Sequence, residues 1–136
     1  MQLLVSMTEH KRTSERAFEF DCHLIDEFRL RPVADEAERI IWRELLKAGT
    51  SVGANTSESD AAQSDADFIA KFQIALKEGK ESLFWLRLLK HASPDRAARI
   101  EVLRRECDEI VSILVASLRT AKTNAQQRAQ ARKHRF

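Results

Sequence analysis

Four stretches of the chain repeat apolar residues at intervals of three and four, the spacing of a helix with one buried face. The first spans Ser14 to Phe28, with Phe18, Cys22 and Ile25 on one stripe and Ala17, Leu24 and Phe28 beside it. "RLRP" ends it, because the residue before Pro32 is pushed out of the helical region. The second starts at Asp35, a capping residue with Glu38 three positions later. The third follows "QSDAD", where Ser64 precedes Asp67 by three, and carries the apolar run from Phe68 to Leu89. Phe68, Phe72, Ala75, Gly79 and Leu86 lie on one side of it, Ile69, Leu76 and Leu83 adjoin, and Phe84, Trp85 and Leu88 crowd its end. The fourth opens with "SPDR": Ser93 is the predicted N-cap, Pro94 fits the first helical position, and Asp95 favours the positive helix end. It repeats Ile100, Leu103, Cys107, Ile110 and Leu114, and its stripe fades beyond Leu118.

The segment "GTSVGANTSESDAA", residues 49–62, holds two of the three glycines and reads at first as a loop. Carried on from Ile41, however, the helical period passes through Leu45, Ala48, Val52, Asn55, Ser59 and Ala62 without a break. Trp42, Leu46, Gly49 and Gly53 form a second stripe beside it. A glycine inside a helix costs about 1 kcal/mol, and the compensation here is close approach of another helix. Residues 35–62 are therefore predicted as one helix of about 40 Å. One of its stripes serves the chain's own core and the other is spare. The surplus apolar surface on the second and third helices predicts contacts between subunits.

Composition agrees with an all-α chain. Of 136 residues only 3 are Gly and 2 Pro, and Tyr is absent. The expected organisation is an extension over 1–13, a four-helix bundle over 14–118 and a basic tail over 119–136. The net charge of +2 conceals an asymmetry: six of the 23 bases and none of the 21 acids lie in 119–136, leaving a body of about −4 and a tail of +6. Cys22 and Cys107 have no metal-like spacing, and each is expected as a buried free thiol. "MQLLVSM" has too short an apolar run for a signal peptide and no segment approaches a membrane span, so a cytoplasmic location is expected.

Two groups of residues are candidates for chemistry. Arg39, Arg43 and Lys47 recur every four residues, and Arg128, Arg132, Lys133 and Arg135 crowd the tail; such groups neutralise phosphates. Glu36 and Glu44 flank the first group, and pairing on a wet helix face explains it equally. The second group is polar. Asn55 and Glu58 share a helix face with Ser51, and Glu81 on the next helix is placed to lie opposite. It is either a structural lock between the helices or a carboxylate pair for acid–base or metal chemistry. No Glu-x-x-His motif, phosphate loop or nucleophile with its base occurs. The expectation is no catalytic residue, no metal, no cofactor and no enzyme activity.

"RELLKAGTSVGANTSESDAAQSDADFIAKFQIALKEGKESLFWL", residues 43–86, resembles the four-helix-bundle proteins encoded in intervening sequences of 23S ribosomal RNA genes. The matching positions are Ser51, Asn55 and Glu58, then Ser64, Asp67 and Phe68, then Phe72, Ala75, Glu81 and Trp85. Where the family usually carries a basic residue after the first Glu, "SDAAQS" stands. The resemblance implies an antiparallel up-and-down bundle assembled as a homo-oligomeric ring, a pentamer. The chain is also similar to the accessory variability proteins of diversity-generating retroelements, which work with a reverse transcriptase and RNA. Two functions remain open at this level. One is a protein that binds structured RNA, or an RNA-handling enzyme, through basic surfaces. The other is an interaction scaffold with no nucleic-acid role.

Overall fold

The computed structural model describes residues 12–135. Among the described residues four α-helices pack around one core: α1 Thr13–Arg29, α2 Glu36–Ser59, α3 Asp65–Ala92 and α4 Ala97–Lys133, with a 3₁₀ turn at Pro94–Arg96 leading into α4. No strand occurs among the described residues. Most of the expected extension over 1–13 lies outside them, and Thr13 already begins α1.

Local signals act at the helix starts. The Asp35 carboxylate accepts from the Glu38 amide at 2.9 Å, and Ser64 Oγ accepts from the Asp67 amide at 3.1 Å. Each satisfies a donor that the first helical turn leaves open. Ser93 departs from expectation. It makes no capping bond, and its hydroxyl donates to Glu38 Oε2 at 2.6 Å instead. A buried carboxylate is the stronger acceptor, so the chain enters α4 through a 3₁₀ turn.

The glycine-bearing segment is helical through Ser59 and ends in a turn at Asp60 and Ala61. Its seam holds at Ile41, Leu45, Ala48, Val52 and Ser59, all buried, and departs at one position, where Thr56 is fully buried and Asn55 only partly. The second stripe is not spare: α1 of the same chain fills it. A Cβ added at Gly49 would stand 2.5 Å from Leu24 Cδ1, and one at Gly53 would strike the Asp21 carboxylate. This close packing also sets which face of α1 turns inward. Ala17, Phe20, Leu24 and Glu27 are buried, whereas Phe18, expected on the main stripe, is 67% exposed and Cys22 only half-buried. Leu24 is itself fully enclosed and cannot step aside. Gly49→Leu should therefore lower stability by about 1–3 kcal/mol or more, read from the urea midpoint. An unchanged midpoint would mean that α1 does not dock on this face.

α3 and α4 complete the core. Phe72, Ala75, Leu86 and Leu89 on α3 meet Ile100, Leu103, Cys107, Ile110 and Leu114 on α4. Cys107 is buried beside the Gly79 carbonyl, and burial, aided by nearby carboxylates, pushes its thiol up to about 12. α4 then continues for 15 residues past Leu118, its last buried residue, so the basic tail is a helical arm of about 22 Å. Its beginning borders Phe68, and Arg128 forms an ion pair with Asp65 at the start of α3. Phe18, Val102 and Phe84 remain more than half exposed. No described helix is long and apolar enough to cross a membrane.

Candidate nucleic-acid interface

α1 stops at Arg29, and the connection through Pro32 folds back over the first turns of α2. Between them lies an open cleft of about 790 Å³. Four arginines line it, Arg29, Arg31, Arg39 and Arg43, around an apolar floor that includes Phe28, Val33, Trp42 and Leu46; no carboxylate is among its lining residues. Trp42 is buried, meets Phe28 edge-on at 5.4 Å, and has the Arg96 guanidinium 5.6 Å from its ring centre. Its indole Nε1 is buried with no hydrogen-bond partner.

The four arginines differ in how firmly they are held. Arg31 is spent within the protein: it grips Glu38 through two bonds of 2.8 and 2.9 Å and Asp95 through bonds of 2.8 and 3.0 Å. Arg39 pairs with Glu36 at 3.3 Å, both exposed, a contact worth under about 1 kcal/mol and easily exchanged. Arg29 and Arg43 are exposed and make no ion pair with any described residue.

The seven basic residues singled out in the sequence do not form one surface. Arg39 and Arg43 border the cleft, but Lys47 lies in a separate small recess with Glu44, Ser51, Glu78 and Glu81. The cause is geometric. A step of four residues overshoots a helical turn by about 40°, so two steps rotate Lys47 about 80° away from Arg39. Arg128, Arg132, Lys133 and Arg135 are exposed on the arm, toward the opposite end of α2. Arg29 and Arg31 were missed as partners of the α2 group because they precede it on another element. Their only signal was the "RLRP" spelling at the helix end.

The polar group is likewise divided. Asn55 Nδ2 donates to the Ser51 carbonyl at 2.8 Å and to Ser51 Oγ at 3.2 Å, so these two do meet. Glu58 pairs instead with Lys71 at 2.7 Å. Glu81 accepts from Trp85 Nε1 at 3.4 Å and stands beside Glu78, whose carboxyl is raised by burial and then by Glu81 itself. Ser51, which shares the Glu81 recess, lies two turns before Glu58, about 10 Å along the helix. The expected lock, a Glu satisfied across the helices by Asn55, Ser51 or Ser59, does not appear among the described hydrogen bonds: Asn55 turns to Ser51, and Ser59 Oγ donates to the Thr56 carbonyl at 2.6 Å.

The buried polar links lie elsewhere. Glu38, fully enclosed, joins Arg31, Ser93 and the Ala34 amide at the end of the bundle that carries the cleft. Next to it the buried Arg96 donates to the carbonyls of Glu27 and Arg31, while Arg99 clasps the Glu27 carboxylate. Farther along α1, the half-buried Asp21 lies against Gly53 with a buried, unpartnered Oδ1, and burial, then Glu106, pushes its carboxyl up to about 8. Among the described residues no group of three or more His, Cys, Asp or Glu is placed to hold a metal ion.

The sequence description of the 23S rRNA-intervening sequence protein family matches residues 11–116, ending before the arm. Among solved structures, the chain is similar to a protein with unknown function from the S23 ribosomal protein family of Bacteroides thetaiotaomicron VPI-5482. The two are 32% identical with a TM-score of 0.70, over 79% of this chain and 95% of that one. No curated protein matches.

Proposed function

The chain belongs to the 23S rRNA-intervening sequence protein family, and from that premise we propose that it is a non-catalytic, oligomeric, cytoplasmic protein that binds structured RNA through basic surfaces. The observation that carries this reading is the cleft at the α1–α2 turn, where Arg29 and Arg43 face solvent with no acid in the lining. The arm supplies a second cationic surface, with Arg132, Lys133 and Arg135 exposed. Phosphate neutralisation at such groups gives salt-sensitive, sequence-independent affinity.

We further propose that the helices run up and down and that copies assemble as a ring of five. The helix order is supported by pairs that match the start of one helix with the end of its neighbour in the chain: Ser14 with Asp60, Lys71 with Glu58, Glu101 with Lys90. Exposed Phe18, Phe84 and Val102 supply apolar surface for subunit contacts. Repetition of the basic groups around a ring multiplies weak contacts by avidity. A reverse transcriptase or another RNA-handling enzyme is the protein partner this reading allows.

The test is a filter-binding titration of the full chain with structured RNA across a salt series. Micromolar or tighter affinity at low salt, falling steeply toward physiological salt, is the expected outcome. Replacing Arg128, Arg132, Lys133 and Arg135 by Gln should reduce the slope of log K against log salt by up to about 4. A second reading is favoured by one contact, the Arg128–Asp65 ion pair, in which the arm meets an acid of its own body. Absence of binding at low salt would leave that reading, an interaction scaffold without nucleic acid.

A further inference from the structure

We propose that the cleft at the α1–α2 turn receives one unstacked nucleotide of a single-stranded RNA segment, with phosphate on Arg29 and Arg43 and the base against the apolar floor. This rests on the RNA-binding reading and names the site and the form of RNA it takes. The volume of about 790 Å³ is within the range of small-ligand clefts, about 300–1,000 Å³. The two components of the lining match the two components of a nucleotide. Arg29 and Arg43 pair with no carboxylate among the described residues, and Arg39 is held there by an exposed pair with Glu36. A guanidinium can bind phosphate through two parallel bonds or lie flat on a base.

A free phosphate, or the ridge of a duplex, would use the arginines and leave Val33 and Leu46 uncovered. An unstacked base covers them, and unpaired loops are where proteins reach the faces of RNA bases. Trp42 adds an aromatic ring to that apolar floor, while its Nε1 is closed off from solvent with no acceptor among the described residues. Arg31 takes no part, because Glu38 and Asp95 occupy its donors.

The experiment uses the full chain, a short oligouridylate carrying 4-thiouridine, and a duplex of the same length. Photo-cross-links should fall on peptides spanning residues 28–46. Arg29→Gln with Arg43→Gln should weaken the single strand about tenfold or more and the duplex much less, with an unchanged melting temperature because both residues are exposed. The corresponding Lys pair should restore only part of the loss, since charge returns without the planar fork. Cross-links confined to 119–135, or equal losses for single strand and duplex, would overturn the nucleotide site while leaving RNA binding in place. A shift in oligomeric mass with RNA affinity unaltered would overturn it too, assigning the cleft to an acidic segment of a second copy. Failure of the unaltered chain to bind any RNA would remove both this site and the reading beneath it.

Discussion

Glu38→Ala should cost about 3–5 kcal/mol, the effect of removing one partner from a buried ion pair. Glu38 is 0% exposed, and its carboxylate joins three segments. It takes two bonds from Arg31 in the turn after α1, one from Ser93 before α4, and one from the Ala34 amide, while its own backbone sits in α2. The alanine variant would leave the Ser93 hydroxyl without that acceptor and Arg31 with Asp95 and the Pro32 carbonyl. Glu38→Gln keeps the shape but turns an amide donor toward a guanidinium, so it should recover little. Burial tends to raise this carboxyl, but the bonds from Arg31, Ser93 and Ala34 outweigh it and hold it below its usual 4.5. A lowered carboxyl stabilises the fold above its unfolded value and ceases to do so as pH falls through the folded one. The wild-type protein should thus lose this stabilisation below about pH 4.5, and the alanine variant should have none to lose there. Urea midpoints across an acid series check both points; a difference under about 0.5 kcal/mol at neutral pH would show that the network is not structural.

Asp21→Asn should act in the opposite direction and stabilise the protein at pH 8 by about 2–4 kcal/mol. Asp21 is half-buried at the α1–α2 contact, one of its oxygens has no partner, and burial followed by Glu106 moves it from 3.8 to about 8. Between those values the unfolded chain has released the proton and the folded chain still holds it. Stability therefore falls as pH climbs through that window. The full interval sets a ceiling of about 6 kcal/mol, and water reaching a half-buried carboxyl lowers the expected effect to the range above. Asparagine has no proton to lose, so its stability should be flat from pH 4 to 8, meeting the wild type near pH 4. Parallel curves for the two proteins would show that Asp21 ionises freely in the fold.

The close fit of α1 on α2 underlies both the Asp21 and the Gly49 effects, and it marks where sequence reading stopped. The glycines signalled close approach correctly, but their neighbour is α1 of the same chain. Both Phe18 and Phe20 are apolar and two residues apart, so periodicity alone offered two faces for α1. The groove over Gly49 and Gly53 selects the face carrying Phe20 and Leu24. Glu38 was legible as a capping partner but not as a buried anchor, because Arg31, Ser93 and Asp95 reach it only after the ends of the bundle come together.

What the amino-acid order determined by itself is local. The all-α class, the breaks at Pro32 and Pro94, the caps at Asp35 and Ser64, and the buried stripe of α4 all follow from contacts within a few residues, and the family motifs in 43–86 are written in the same short range. The tertiary structure decided how each helix turns about its axis, and with it which polar groups meet. A rotation of some tens of degrees separates Lys47 from Arg39, and two helical turns separate Glu58 from the recess of Glu81. The same packing brings Arg29 from α1 beside Arg43 from α2. Spacing along one helix fixes only relative angles within it, whereas a site shared by two helices depends on packing across the core.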